Sequence, residues 1–247
     1  MLIRDDGDSW TAIGQPAHAW LAAQIARVWG NERFARPEPH EDFCLGVEQH
    51  DVGWAAWDLR PPLHAPARRA ASFYEAPLRP RMELWVDAPR RVLAQSPVAA
   101  LLVSIHGSNI HSRYVDASVL VPDDAAFVRA YLSEQRELQD ELCAAAGIDR
   151  GHADRLGDLL FCLDAISLSI CHDWPARELP DVYDVAIRYE PLGDGTATLD
   201  PWPLAVDALA LHVDCKHLDQ RFDDEAALHA ALDAAPWTRL EWTLRAR

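Results

Sequence analysis

None of the five cysteines falls in a Cys-x-x-Cys spacing, and their number is odd. That argues against a disulfide framework or a zinc ribbon and leaves Cys44, Cys143, Cys162, Cys171 and Cys215 as reduced core residues. No run of Lys or Arg interrupts a chain with 23 basic and 39 acidic side chains, so a formal charge of −16 repels nucleic-acid phosphates and anionic membranes. No stretch is long and apolar enough to span a bilayer, and Met1 to Asp8 reaches acidic turn residues too soon for a signal peptide. A cytoplasmic protein with neither nucleic-acid nor membrane partners is expected. Repeats and low-complexity tracts are also missing. What is present is 247 residues, 49% of them hydrophobic, enough for a single domain over residues 1–247 with a substantial core. Nothing sets the oligomeric state, and a homo-oligomer is compatible with this composition.

Periodicity divides the chain. Residues 1–4 and 9–13 read as a hairpin joined through Asp5-Asp6-Gly7-Asp8. A helix with Pro16 in its first turn follows, carrying Leu21, Ile25, Val28 and Trp29 at helical spacing until Gly30-Asn31. Residues 41–57 read as a second helix, and 58–80, rich in Pro, Arg and Ala around Phe73 and Tyr74, as a long loop of the kind that covers sites. Helical patterns return at 81–95 and after Pro97, where Val98, Leu101, Leu102 and Ile105 share a stripe that Gly107-Ser108-Asn109 should break. A polar helix over 122–146 and a helix over 152–171 complete the helical part. Beyond Pro175, alternation in Tyr183 to Tyr189, Leu209 to Cys215 and Leu240 to Leu244 indicates strands. The expected fold is therefore mainly α: a helical body over 15–172, with 1–13 and 178–247 adding a small antiparallel sheet, α+β overall.

The chemistry concentrates in His50-Asp51, inside Glu48-Gln49-His50-Asp51-Val52-Gly53-Trp54, which sets a neutral nitrogen ligand beside an anionic oxygen ligand at a helix end. His18, His106 and Asp164 each lie on the apolar stripe of a different helix, where an unpaired charge or imidazole is costly to bury. Imidazole and carboxylate together suit zinc, manganese and iron. The competing account is a hydrogen-bonded core histidine network with Asp164 capping it. His111 and Arg113 follow the Gly107 break, with an orientation that the pattern leaves open.

The order His18, His50-Asp51, His106 with His111 nearby, and Asp164 resembles the HD-domain superfamily of metal-dependent phosphohydrolases. The resemblance covers about residues 15–172 and implies a helical bundle in which His18, His50, Asp51 and Asp164 hold a divalent metal. Members with two metals add histidines, a role that falls here to His106 and His111. More closely, Gln15-Pro16-Ala17-His18, His50-Asp51-Val52-Gly53-Trp54, Leu102 to Gly107 and Asp164 to Leu168 look like an uncharacterised bacterial family known only as a domain of unknown function. Many superfamily enzymes carry a Lys where Trp54 stands, which shifts the substrate-binding charge to Arg113, with Trp54 flanking the site. The expected cofactor is one or two divalent ions of iron, manganese or zinc, with Asp51 or His106 as the catalytic group. The expected function is metal-dependent hydrolysis of a small anionic substrate, a phosphorylated metabolite or nucleotide. The alternatives are a diiron oxygenase of the same superfamily and a non-catalytic metal-binding or sensing domain.

Overall fold

The computed structural model describes all residues from Met1 to Arg247. The chain opens with strands β1 (Leu2–Asp5) and β2 (Trp10–Ile13), then helices α1 (Gln15–Ala26) and α2 (His40–Gln49). After a 3-10 turn at Val52–Trp54 come α3 (Ala55–Leu59), a two-residue-stranded hairpin of β3 (Leu63–His64) and β4 (Arg69–Ala70), and helices α4 (Leu78–Val86) and α5 (Ala88–Leu93). Three long helices follow: α6 (Pro97–Tyr114), α7 (Pro122–Ala146) and α8 (Arg150–Cys171). The last part holds β5 (Arg177–Glu178), β6 (Arg188–Gly193), β7 (Thr196–Asp200), β8 (Ala208–Leu218), α9 (Glu225–Ala234) and β9 (Trp237–Arg245). No helix is long and apolar enough to cross a membrane. All five cysteines are free and buried.

The expectation of a mainly helical bundle with a small appended sheet is overturned. Seven strands form one mixed sheet in the order β1-β2-β8-β9-β7-β6-β5, antiparallel except where β7 meets β9. The fold is α+β with a substantial sheet. Strand β8 is the reason: it runs for 11 residues, pairing with β9 along its length and with β2 at its far end, so the N-terminal hairpin joins the sheet directly. Leu211, Val213 and Cys215 alternate inward from β8 and share the largest hydrophobic cluster with Leu21 and Ile25 of α1 and Leu160, Leu163 and Ile166 of α8. Burying each such aliphatic side chain contributes about 1.5–3 kcal/mol, so the sheet is an integral wall of the core and not an attachment to it. On its outer face the partners Asp214 and Arg239 form an ion pair at 2.9 Å. Helix α9 has no counterpart among the elements expected from periodicity.

The helices that matter for function are set by local rules. Gly14 offers α1 no capping side chain, and Asp58, from α3, accepts the Gln15 N–H instead. Ser96 caps α6 by accepting from Ala99 N and donates to Asp42 of α2, tying the two helices. Asp149 caps α8 through the N–H of His152. The single helix expected over 41–57 is broken at His50-Asp51, so that pair sits at a bend. Conversely, α6 runs unbroken through Gly107 to Tyr114. The residue read as a breaker is there for packing: a Cβ on Gly107 would lie 2.5 Å from the Tyr131 hydroxyl and 2.9 Å from the Trp85 ring.

Candidate metal centre

Four helices bring their histidines and carboxylates to one buried point. His18 comes from α1, His50 and Asp51 from the end of α2, His106 from α6 and Asp164 from α8, and none of the five is more than 8% exposed. His18 Nε2 lies 2.6 Å from Asp51 Oδ2, and His50 Nε2 lies 3.6 Å from the same oxygen and 3.5 Å from Asp164 Oδ1. His106 Nε2 stands 4.0 Å from Asp164 Oδ2. Two ligand triads result, His18 with His50 and Asp51, and His50 with His106 and Asp164, the donor atoms of each lying within 4.8 Å of one another. Both use His50, whose one free nitrogen can bind one ion, so the triads describe a single centre.

The surrounding groups prepare these donors. His50 Nδ1 donates to Val47 O at 2.7 Å, which leaves Nε2 as the inward lone pair. Ser167 Oγ donates to Asp164 O at 2.8 Å, so it accepts from His18 Nδ1 at 2.9 Å, and His18 Nε2 is likewise turned inward. Such outer hydrogen bonds orient ligating imidazoles. Ser167 stands one turn after Asp164 on α8, and that spacing is the sequence signal that points to this role.

Buried His50 Nε2 and Asp51 Oδ1 have no hydrogen-bond partner. Each such orphan costs about 1–3 kcal/mol; a divalent cation held by His50 Nε2 and the other Asp51 oxygen, Oδ2, would remove the first and leave Oδ1 facing a water. Burial alone would depress the His50 pKa, but the Asp51 carboxylate, followed by Asp164, pushes it up to about 9, so without a cation Nε2 holds a proton at neutral pH that metal binding must displace. Burial, then the neighbouring His50, holds His106 well below its ordinary value and therefore neutral, as a ligand must be. Three imidazoles and two carboxylates thus fit a zinc, manganese or iron ion.

Two expected site residues lie elsewhere. His111 is fully buried but belongs to neither triad; Nδ1 donates to Gly107 O at 2.7 Å and the ring packs edge-on against Tyr131. Arg113 is removed by the continuity of α6, which turns it to the outer surface, where it pairs with Asp158 at 2.9 Å and covers one face of Phe161. Trp54, by contrast, lines the cavity above the centre.

That cavity measures about 400 Å³, with His18, Asp51, His106 and Asp164 in its lining and mostly hydrophobic walls. Trp85 of α4 touches the His106 ring at 5.5 Å, and Trp54, Phe73 and Tyr74 form a continuous aromatic wall. The segment over 58–80 does cover the site. It is held there by the Ser72–Glu75 capping box, by Arg69 bridging Glu75 and Asp5, and by Phe73 N–H donating to Met1 O. Sequence reasoning missed Trp85, Phe161 and Arg81 as lining residues.

His111 gives the protein a pH-dependent stability. Burial, only partly opposed by its bond to Gly107, lowers its pKa from 6.5 to about 4. The unfolded chain therefore binds this proton first, and stability is complete above about pH 6.5 and falls as pH drops toward 4, by on the order of 3 kcal/mol. Urea melts at pH 7 and pH 4.5 should show a smaller acid loss in His111→Gln than in the parent; equal losses would remove His111 as the cause.

Fold and site together define an α+β protein with a buried three-histidine, two-carboxylate centre beneath an aromatic cavity. The chain belongs to DUF3891, described as a protein of unknown function, whose family model matches residues 1–220. This agrees with the likeness of its motifs to an uncharacterised family; the description carries no activity and lends no support to the HD-domain resemblance. No curated protein and no solved structure matches the chain.

Proposed function

We propose that this protein is a metal-dependent phosphohydrolase of small molecules, with His18, His50, Asp51, His106 and Asp164 as the ligand set. The convergence of these five donors, four of them lining the floor of a cavity open to a small ligand, carries the reading. Their order along the chain, His, His-Asp, His, Asp, is that of the HD-domain enzymes, and the chemistry is read through that resemblance.

A bound divalent ion would supply Lewis acidity and lower the pKa of a water molecule. The chain supplies the rest. Asp51 Oδ1, buried and without a partner, accepts the proton of the attacking water. The water oxygen bonds to phosphorus as the ester P–O bond breaks, and the proton returns to the leaving oxygen, giving an alcohol and inorganic phosphate. Ser167 and the Val47 carbonyl hold His18 and His50 in register, and the aromatic walls limit competing water.

The test is elemental analysis of protein purified without chelator, followed by phosphate release from mononucleotides, sugar phosphates, aryl phosphates and oligonucleotides with manganese, iron or zinc. Hydrolysis of monomeric esters is expected, since a chain of formal charge −16 opposes each added phosphate of a polymer. Oxygen consumption without phosphate release would replace the proposal with the oxygenase reading. Metal with no turnover would leave a binding or sensing domain.

A further inference from the structure

Above the candidate centre one cation stands out. Arg81 lines the cavity from the first half of α4, half-buried, and its Nε is enclosed without any hydrogen-bond partner. The other arginines near the site are accounted for. Arg113 is paired with Asp158, and Arg177, exposed at the rim, lies 4.5 Å above the Trp174 ring. No carboxylate answers Arg81, and burial is what acts on it, lowering its pKa. A guanidinium in that position is a fork of donors awaiting planar or tetrahedral anionic oxygens.

Its position separates it from the reacting floor. Trp85, one turn later on α4, is the residue that touches His106, and Arg81 makes no ion pair with any of the five proposed ligands. The same cavity is walled by Trp54, Phe73, Tyr74, Trp85 and Phe161, with exposed Tyr114 also in its lining. The lining is mostly hydrophobic, so a sugar or a nucleotide ribose would set most of its hydroxyls against apolar surface. A ring or a short alkyl chain would bury apolar surface instead.

We propose that the cavity takes an amphiphilic organic anion: an apolar, ring-sized body along the aromatic wall, and an anionic oxygen group, distinct from the reacting one, held by Arg81. The proposal rests on the phosphohydrolase reading for the reacting group, but its test reads binding and not turnover. Absence of hydrolysis and absence of anion recognition are thus separate results.

The experiment is calorimetric titration of the protein as purified with four probes: 4-phenylbutanoate, 3-phenylpropylphosphonate, neutral 4-phenylbutanol and glucose 6-phosphate. At least one phenyl anion should bind ten times or more tightly than both the alcohol and the sugar phosphate. The tighter of the two anions identifies a carboxylate or a phosphoryl head. Arg81→Gln should weaken that anion about tenfold, leaving the alcohol affinity and the metal content unchanged, which separates Arg81 from capture by the metal. Arg81→Lys, which keeps the charge without the fork, should fall between, and it carries the test if the Gln variant does not fold. Glucose 6-phosphate binding as well as the phenyl anions, an anion preference that survives both substitutions, or no binding of any probe would each overturn the proposal.

Discussion

Asp51→Ala should purify without its metal and melt well below the parent. The carboxylate touches His18 Nε2 and lies 3.6 Å from His50 Nε2, so its removal takes the facing anion from two buried imidazoles. Breaking one partner out of a buried charged set costs about 3–5 kcal/mol. A second loss adds to it, because a metal held at a thousandfold excess over its dissociation constant contributes about 4 kcal/mol of stability. Asp51→Asn separates the two contributions. It keeps the shape and one acceptor oxygen, so its metal-free melting point should stay near that of the metal-free parent while metal content and hydrolysis are lost. Elemental analysis and thermal melting with and without added manganese or zinc decide the matter. A well-folded Asp51→Ala protein with unchanged metal content would remove Asp51 from the ligand set.

Much of this centre is legible in the sequence, for a geometric reason. His18 sits seven residues before Ile25, Asp164 four after Leu160, and His106 four after Leu102, so helical periodicity alone points each inward. What periodicity cannot carry is the contact between elements. Gly107 reads as a breaker by propensity, yet Tyr131 and Trp85 press on it so closely that only a residue without Cβ fits, and the helix passes through. That one error displaced both His111 and Arg113, which the continuous helix turns away from the centre. The sheet was underestimated for a related cause. Strand β8 continues through Lys216 and His217, whose polarity hides it, because Thr11 and Ala12 of the N-terminal hairpin pair with it there. Arg81 gave no local sign at all: its importance lies in what fails to approach it.

The glycine beside the His50-Asp51 pair joins metal centre and cavity wall, and it carries the second large prediction. A Cβ built on Gly53 would stand 2.1 Å from the carbonyl oxygen of Leu84 and 3.0 Å from its carbon. Those are backbone atoms of α4, so no side-chain rotation relieves the overlap; the helix must retreat. The next residue on α4 is Trp85, which covers His106, and one turn before it is Arg81. Gly53→Ala therefore trades a small gain in chain stiffness for the displacement of a whole cavity wall, a net loss of about 3 kcal/mol. For a chain of this size that is roughly a 6–12 °C drop in melting temperature. Gly151→Ala is the matching control: in the exposed first turn of α8 its Cβ meets no backbone, only Arg155 Nη1 at 3.7 Å and, at 3.3 Å, the capping Asp149 Oδ1, which need give by only a few tenths of an ångström. There the same added methyl should be neutral or stabilising by up to about 1 kcal/mol through helix propensity. Thermal melts of the two variants side by side test the argument, and a Gly53→Ala protein melting with the parent would show that α4 does not bear on the His50-Asp51 turn. The displacement should also reach the ligand, since a wall that moves away from His106 loses contact with any ring held between them. Weaker binding of the phenyl anions by Gly53→Ala, with the metal still in place, is the expected result.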